Sequence, residues 1–440
     1  MARIQDMAAQ LKIGIIGGGY AGMAAAVELA CHGHRVTVLE SAKQLGGRAR
    51  GVEYNGVMLD NGQHILLGCY KNTLGMIEKT GGNIAEDFQR LPLQLTIHKH
   101  FELKAAHLPA PLHLLAGFMN AKGLSWKSRF AAARFMLAMR SIKFNIIKDI
   151  PAIELLHQYN QDEALIRFLW EPVCISALNT PLAKSSAQVL LNVLRDSLNG
   201  SRADSEMLLP KLDFTSLFPQ RAARFIEQHG SQVLLSHTVE AIIPEVNKIT
   251  LETSHREFSF DKVICAASPA SAVRLLQPFP QLQETAAQIA AIDYQPIYTV
   301  YLQYPENVKL PQVMLGLDRS ISQWVFDKGQ LAGQKGLLAV VISAEGHHQE
   351  LTQEQLADQV IRELKDQLGI LTSALWHKVI AEKLATFACV PNMQRPSTIP
   401  PIPNLMLAGD FTEGDYPATL EGAVISGINC ANAIQLAFQA

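Results

Sequence analysis

A glycine-rich turn near the start of the chain constrains the fold more than any other feature. It reads Gly17-Gly18-Gly19-Tyr20-Ala21-Gly22 and follows the apolar run 12–16, in which β-branched residues predominate. Such a run predicts a strand, and the alanine-rich residues 23–29 after the turn predict a helix. Gly17 permits the tight turn, Gly19 lets an anion approach the backbone, and Gly22 lets the helix pack closely on the strand. The pattern therefore predicts a strand–turn–helix unit that binds a dinucleotide diphosphate at the helix N-terminus.

An acidic residue at the end of the next strand narrows the choice of dinucleotide. Gly33 ends the helix, residues 35–39 form a second predicted strand, and Glu40 follows that strand directly. A carboxylate about 20 residues past the glycines accepts hydrogen bonds from both hydroxyls of an adenosine ribose and repels a 2′-phosphate. Glu40 therefore favours FAD or NAD over NADP.

The residues that follow favour FAD. They contain Gly46-Gly47-Arg48, a hairpin-like Tyr54-Asn55-Gly56-Val57 and the run Asp60-Asn61-Gly62. Together with the first motif, these segments resemble the extended fingerprint of the glutathione-reductase-type flavoproteins, particularly the branch that holds amine oxidases and phytoene desaturases. The resemblance implies that Gly46, Gly47 and Arg48 lie along the FAD diphosphate, where the guanidinium brings positive charge to two phosphates.

A second flavin-like motif lies near the end of the chain. A predicted strand over residues 404–408 leads into Gly409-Asp410 and then into the segment 417–427, PATLEGAVISG. This is similar to the C-terminal flavin motif of the same family, which implies that Asp410 accepts hydrogen bonds from the ribityl chain. It also implies that a helix beginning near Glu421 directs its first backbone amides at the flavin N1 and C2 carbonyl. The implied contacts are Gly422, Ala423 and Val424. A terminal helix packed through alanine and glycine is the alternative explanation.

Predicted strands in the middle of the chain complete the cofactor domain. Residues 232–235 and 238–244 precede the apolar run 262–267. In the family a valine in this region contacts adenine through its backbone, and Val239 is the matching position, although strand pairing explains the same pattern. We therefore predict an α/β fold with a glutathione-reductase-type, Rossmann-like FAD-binding domain interleaved with an α+β substrate domain. The predicted FAD-binding domain comprises residues 1–70, 225–270 and 375–440, and the substrate domain comprises residues 71–224 and 271–374.

The composition excludes several other classes of protein. Apolar residues make up 48% of the chain and charged residues 18%, but the two longest uncharged stretches, 105–121 and 422–440, carry too many prolines, histidines or amides for a membrane span. Residues 1–10 contain no apolar leader segment, and 38 basic against 40 acidic residues create no field that attracts nucleic acid. Because no Cys-x-x-Cys pair and no histidine–carboxylate set has metal-ligand spacing, we expect a cytoplasmic protein without a metal site.

The segment 103–148 is unusual because it contains no acidic residue. Basic residues are interleaved there with leucine, phenylalanine, methionine and tryptophan at spacings that suit amphipathic helices. The basic residues are Lys104, Lys122, Lys127, Arg129, Arg134, Arg140, Lys143 and Lys148. An apolar face flanked by cations predicts peripheral contact with an anionic leaflet, here the inner face of the cell membrane. The alternative is a solvated helical cap whose charge is one-sided.

Another block carries a more specific resemblance. Residues 170–181, WEPVCISALNTP, and 187–196, AQVLLNVLRD, together with residues 207–213 and the run Asp60-Asn61-Gly62-Gln63-His64, resemble the bacterial hydroxysqualene dehydroxylases, also described as squalene-associated FAD-dependent desaturases. The likeness implies a C30 isoprenoid substrate in squalene and hopanoid biosynthesis. It implies that hydride from reduced flavin N5 replaces the allylic hydroxyl of hydroxysqualene and yields squalene.

The implied reaction also needs a proton donor, because the hydroxyl departs as water. An acid of raised pKa would supply this proton. Glu171 and Asp196 lie inside the resembling block and are the two candidates. Either carboxylate could instead be a structural partner of Arg195 or Arg202.

Two other functions fit the same motifs. An FAD-dependent isoprenoid or carotenoid desaturase would use the same cofactor and an apolar tunnel to remove hydride from a polyprene, and the sequence leaves the direction of electron flow open. A non-catalytic isoprenoid carrier is the third function. Glu40, Arg48, Asp410 and Gly422 argue against the carrier, which has no use for both ends of a flavin site.

Overall fold

The predicted strand–turn–helix unit is present and forms the centre of a parallel sheet. The computed structural model describes residues 10–439. The sheet has five strands, in the order Gln232–Leu234, Arg35–Leu39, Lys12–Ile16, Lys262–Cys265 and Leu405–Leu407. All neighbouring strands are parallel, and their apolar residues are largely buried on both faces, as parallel sheets require. Each of the three stretches predicted for the cofactor domain contributes at least one strand.

Two helices from opposite ends of the described chain pack on each other through small residues. Tyr20–Cys31 follows the glycine turn and is buried on almost every side, and Leu420–Gln439 lies against it. A Cβ atom placed on Gly427 would lie 2.1 Å from the carbonyl oxygen of Ala21. The two backbones therefore approach this closely only because residue 427 is glycine.

A larger, mostly antiparallel sheet forms the second layer of structure. Its seven strands follow the order Trp376–Phe387, Tyr294–Gln303, Leu337–Ser343, Trp324–Asp327, Met314–Gly316, Gln94–Ile97 and Phe101–Lys104. Only Met314–Gly316 and Gln94–Ile97 are parallel neighbours. Trp376–Phe387 is an edge strand of this sheet, although it lies within the stretch 375–440 predicted for the cofactor domain. The predicted boundary at residue 375 therefore does not coincide with a change of sheet.

The remaining strands form three smaller sheets. The hairpin Gly51–Tyr54 and Val57–Asp60 turns at Asn55 and Gly56, whose φ angles of 50° and 73° are the left-handed values of a type I′ turn. The predicted hairpin is thus confirmed. The other two sheets consist of Val239–Pro244, Ile249–Thr253 and Glu257–Phe260, and of Leu66–Leu67, Met207–Pro210 and Phe88–Leu91.

Helices account for most of the remaining structure. Those before residue 200 are Tyr20–Cys31, Lys71–Lys79, Ile84–Asp87, Leu112–Asn120, Trp126–Ser141, Ala152–Gln158, Glu163–Leu165, the π-helix Ile166–Trp170, Glu171–Leu178 and Ala187–Leu198. Later ones are Arg202–Ser205, Phe214–Leu217, Pro219–Gln228, Pro269–Leu276, Pro280–Leu282, Gln283–Ala290, Lys328–Ala332, His347–Glu350, Gln353–Leu368 and Leu420–Gln439. Within residues 10–439, no helix has the length and apolar character needed to cross a membrane. The prediction about a leader segment concerns residues 1–10, of which residues 1–9 lie outside the described residues.

Candidate active site

The glycine turn forms a cradle from which side chains are excluded. Gly17 has a φ of +105°, and a Cβ atom on it would lie 2.5 Å from the carbonyl oxygen of Ala266. A Cβ atom on Gly22 would lie 2.1 Å from the carbonyl oxygen of Gly17, so the helix can start this close to the strand only with glycine there. Gly19 is the N-cap of the helix Tyr20–Cys31. The amides of that helix N-terminus therefore face a space bounded by backbone, which suits a diphosphate.

A second glycine pair forms the opposite wall of the cradle. The amide of Gly46 donates to the carbonyl oxygen of Gly18 at 3.0 Å, and Gly46 bridges to Gly19 as an isolated β-bridge. Gly46 and Gly47 have φ angles of +115° and +61°, a conformation that favours glycine. The nearest atom to a Cβ on Gly19 is the Cα of Gly47, 4.0 Å away. Two segments predicted to line the FAD diphosphate thus lie against each other.

Glu40 lies beside this cradle with its carboxylate buried. One oxygen accepts the amide of Gly18 and the other the amide of Ala42, both at 2.7 Å. The oxygen bound by Ala42 also accepts the Ser41 hydroxyl at 3.3 Å, whereas the oxygen bound by Gly18 accepts no second hydrogen bond within residues 10–439 and keeps acceptor capacity for a ribose hydroxyl. The segment that leads into Val239 runs beside it, because the amide of His237 donates to the carbonyl oxygen of Glu40 at 2.8 Å.

Val239 lies at the start of its strand with its side chain buried. Its carbonyl oxygen already accepts a hydrogen bond from Nη2 of Arg274 at 2.8 Å. The position of Val239 near Glu40 favours a contact with adenine. This contact stays a prediction.

Arg48 and Asp410 meet at the other end of the site. Nη2 of Arg48 lies 2.5 Å from Oδ1 of Asp410, and its Nη1 donates to the carbonyl oxygen of Ala385 at 2.8 Å. Burial alone would lower the pKa of Arg48, but the Asp410 carboxylate outweighs burial and raises it. Residues from the two separate flavin-like motifs are therefore in direct contact.

The amides predicted to face the flavin have partners of their own. The amide of Gly422 donates to Oγ1 of Thr419 at 3.1 Å, and that of Ala423 donates to the carbonyl oxygen of Thr419 at 3.0 Å. Val424 is fully buried. Glu421 caps another helix, since its carboxylate accepts the amide of Thr73 at 2.8 Å at the start of Lys71–Lys79. The roles of Gly422, Ala423 and Val424 stay predictions.

The two candidate acids have different surroundings. Glu171 begins the helix that follows the π-helix Ile166–Trp170, and within residues 10–439 its carboxylate makes no hydrogen bond. Glu171 lies at an exposed position, and desolvation by the neighbouring protein nevertheless raises its pKa, against the opposing influence of Arg167. The guanidinium of Arg167 is itself bound to Asp318, with an Nε–Oδ1 distance of 2.9 Å.

Asp196, in contrast, is bound by its neighbour in sequence. Nε and Nη2 of Arg195 donate to its two carboxylate oxygens at 2.7 and 3.2 Å. This is one of the two structural partnerships that the sequence left open. Arg202, the other possible partner, lies 3.4 Å from Glu206 instead.

The sequence did not reveal a buried charged cluster around the run 60–64. Lys328 is 4% exposed, and its Nζ donates to Oε1 of Gln63 at 3.2 Å. Burial raises the pKa of Asp60 to about 6, although Lys328 opposes the shift. Burial likewise lowers the pKa of Lys328, against Asp60 and Asp213. The run 60–64 was recognisable, but no local pattern links it to a lysine more than 260 residues away.

Within residues 10–439, no group of three or more histidine, cysteine, aspartate or glutamate side chains is placed to hold a metal ion. The donor set here is instead backbone amides, one buried glutamate and an arginine–aspartate pair. These groups fit the diphosphate, ribose and ribityl oxygens of a flavin dinucleotide. Geometry and motif together define a dinucleotide-binding oxidoreductase of the flavoprotein class.

Comparisons with known proteins agree with this class. The sequence profile of the family described as "Flavin containing amine oxidoreductase" matches residues 20–435. A hydroxysqualene dehydroxylase of Zymomonas mobilis is 26% identical over 95% of this chain and 97% of its own. A zeta-carotene desaturase of Synechocystis is 24% identical over 96% of this chain and 97% of its own. Among solved structures, a putative protoporphyrinogen oxidase from Exiguobacterium is 19% identical, with a TM-score of 0.71 over 98% of this chain and 99% of that one.

The chain therefore belongs to the flavin containing amine oxidoreductase family. It is an FAD-dependent oxidoreductase, and the predicted fold class, enzyme class and cofactor are confirmed. Glu40, the glycine segments, Arg48 and Asp410 are the residues that would hold FAD, which supplies two-electron hydride chemistry at its flavin ring when bound.

Proposed function

We propose that the protein reduces hydroxysqualene to squalene. The observation that carries this proposal is similarity along the chain to three hydroxysqualene dehydroxylases, which are 24–26% identical over 95–97% of its length. In the proposed reaction the allylic C–O bond breaks, a C–H bond forms with hydride from reduced FAD, and the oxygen leaves as water after it takes up a proton. The chain must therefore supply a proton and exclude bulk water.

Glu171 is the acid that the surroundings favour. Although Glu171 is exposed, desolvation by the neighbouring protein raises its pKa and keeps the carboxyl protonated to higher pH. Within residues 10–439 no hydrogen bond commits it elsewhere. It also begins a helix directly after a π-helix, an irregularity that is frequent at functional sites. Asp196 is less suited, because an acid that already accepts two hydrogen bonds from a guanidinium must first lose that ion pair.

The helix that carries Glu171 has apolar neighbours. Trp170, Cys174 and Leu178 are buried in the largest apolar cluster of the described chain. The ring of Phe135 meets that of Trp170 edge to face, with the centroids 5.0 Å apart. An apolar environment of this kind would limit recapture of an allylic cation by water.

The decisive experiment is anaerobic. Holoenzyme reduced with dithionite should regain its oxidised flavin absorbance when hydroxysqualene is added and should form an equivalent amount of squalene. Glu171→Gln should slow this step about 100-fold or more, while the matched variant Asp196→Asn should keep most of the rate. Reduced enzyme that stays reduced with hydroxysqualene would overturn the proposed reaction. Slowing by Asp196→Asn alone would reverse the assignment of the acid.

A desaturase activity is the second candidate, and the zeta-carotene desaturase relative favours it. In that case oxidised holoenzyme would be bleached by a hydrocarbon polyene. The same anaerobic experiment therefore distinguishes the two directions of electron flow. The FAD-binding geometry at both ends of the site argues against a non-catalytic carrier.

We further propose that the protein is cytoplasmic and meets its C30 substrate at the inner face of the cell membrane. The support is an exposed apolar stripe on the helix Trp126–Ser141. Trp126, Phe130 and Leu137 are 61%, 60% and 66% exposed, although Phe135 and Met139 on the opposite side are buried. The spacing of four and seven residues places all three exposed side chains on one helix face.

The neighbouring helix also exposes large apolar side chains. Leu112 and Leu115 on Leu112–Asn120 are 52% and 45% exposed, and the two helices are in contact. We call Leu112, Leu115, Trp126, Phe130 and Leu137 the docking face. Such a cluster of large apolar side chains is costly in water and useful at a lipid surface.

Charge within the segment 103–148, which carries the docking face, has one sign. Lys127, Arg134 and Arg140 are exposed on the same helix, and residues 103–148 contain no acid. Lys122 is paired with Glu102, which lies just outside that segment. Cations around an apolar face match anionic headgroups, which supports an anionic bilayer rather than an uncharged one as the partner.

A further inference from the structure

A buried hydroxyl near the Arg48–Asp410 pair has no partner within residues 10–439. Tyr294 begins the strand Tyr294–Gln303, and its Oη is inaccessible to solvent. Within residues 10–439, this oxygen makes no hydrogen bond. Buried tyrosine hydroxyls normally have an acceptor, so an unpaired one marks a position where a partner is expected to arrive.

The surroundings of Tyr294 connect it with the cofactor residues. In the seven-stranded sheet it pairs with Phe387, two residues beyond Ala385, whose carbonyl oxygen accepts the hydrogen bond from Arg48. Burial raises the pKa of Tyr294, the Asp410 carboxylate raises it further, and Arg48 opposes them. The hydroxyl therefore lies in the electrostatic field of the Arg48–Asp410 pair.

The residues around this hydroxyl are already paired. Arg48 bridges Asp410 and Ala385, and the carbonyl oxygen of Asp410 accepts a hydrogen bond from Nη1 of Arg395 at 3.0 Å. A phenol next to a carboxylate stays protonated and is a hydrogen-bond donor. What it lacks is therefore an acceptor that comes from outside the chain.

We propose that Tyr294 is a further FAD-binding residue, whose hydroxyl donates to a cofactor oxygen where Arg48 and Asp410 meet. Those two residues are expected along the diphosphate and the ribityl chain, and both parts of FAD carry oxygens that accept hydrogen bonds. The inference depends on FAD binding and not on the identity of the substrate.

The test is the affinity of the apoprotein for FAD. Tyr294→Phe should weaken binding about 10- to 100-fold, the range for a hydrogen bond to a charged or strongly polar acceptor. Titration followed by quenching of flavin fluorescence measures this constant directly. Tyr298→Phe is the matched control, because Tyr298 lies on the same strand but packs against His348 in a different apolar cluster. Its FAD affinity should stay within twofold of wild type.

Thermal unfolding separates a cofactor contact from a purely structural role. The apoprotein of Tyr294→Phe should be at least as stable as wild-type apoprotein, because the substitution removes an unpaired buried hydroxyl. Its stabilisation by saturating FAD should be smaller than that of wild type. Unchanged FAD affinity would overturn the proposal, and so would an equal loss of stability with and without FAD. A raised KM for substrate at unchanged FAD affinity would assign Tyr294 to the substrate instead.

Discussion

The docking face makes the most direct prediction, because it concerns side chains that the fold leaves in solvent. Replacing Trp126, Phe130 and Leu137 together with serine removes the exposed stripe of one helix. All three are at least 60% exposed, so their loss should not disturb the core. The substitution should therefore change membrane binding without changing the flavin spectrum or the unfolding temperature.

The size of the effect follows from the exposed area. A large aromatic side chain offers about 150–250 Å², so insertion of the exposed part of Trp126 or Phe130 could contribute about 2–4 kcal/mol each at roughly 25 cal/mol per Å². Insertion into a lipid interface is partial, and the triple serine variant keeps some affinity for anionic vesicles because its basic residues are unchanged. We therefore expect the triple variant to bind vesicles about 100- to 1000-fold more weakly, equivalent to about 3–4 kcal/mol.

Sedimentation with vesicles measures this difference. The vesicles should contain phosphatidylglycerol in phosphatidylcholine, with pure phosphatidylcholine as the uncharged comparison. The control variant is Leu371→Ser with Leu375→Ser, since these leucines are 78% and 66% exposed but lie outside the docking face. Wild type and control should bind anionic vesicles alike, and binding should weaken as salt rises. Triple-variant binding within threefold of wild type would refute the reasoning.

Three further predictions test the cofactor site and the core. Glu40→Ala should weaken FAD binding about 10-fold or more in a fluorescence titration, because the ribose loses its acceptor; unchanged affinity would contradict this role. Gly427→Ala should lower the free energy of unfolding by about 1–3 kcal/mol in urea, because the added Cβ meets the Ala21 carbonyl oxygen at 2.1 Å. Gly75→Ala, where nothing lies within 4 Å, should not destabilise the protein. Asp60 has its pKa raised by burial from 3.8 to about 6, so its contribution to stability is complete below 3.8 and is lost as pH rises through about 6. Relative to Asp60→Asn, wild-type protein should lose about 2 kcal/mol of unfolding free energy between pH 4 and 7, and parallel curves would exclude this shift.

The nucleotide half of the site could be predicted from the sequence because its geometry is local. Gly17, Gly22 and the Asn55-Gly56 turn are fixed by backbone conformation or by contacts shorter than a Cβ allows. Such requirements leave a signature within a few residues. Glu40 follows from the same unit, since the length of one strand–helix–strand repeat sets its distance from the glycines.

Other parts of the site depend on contacts between distant segments. The sequence of the strand Trp376–Phe387 predicts a partly buried strand but not its sheet. Only its pairing with Tyr294–Gln303 assigns it to the seven-stranded sheet. Tyr294 lies on that same sheet near Arg48 and Asp410, and Lys328 follows its strand Trp324–Asp327 directly and contacts Gln63. Neither lies in a motif, and each is recognisable only because burial leaves a polar group with few or no partners.

The assignment of Glu171 as acid also provides a test of the direction of electron flow. A dehydroxylase needs the protonated carboxyl, so the rate of flavin reoxidation by hydroxysqualene should fall as pH rises through the pKa of Glu171. Desolvation by the neighbouring protein raises that pKa, which extends the active range upward from the ordinary range of a glutamate. A desaturase has no departing oxygen to protonate, and a carboxylate that accepted a proton would give a rate that rises with pH. The Glu171→Gln variant should lose this pH dependence. A profile for wild type that rises with pH would therefore contradict both the acid and the direction of the proposed reaction.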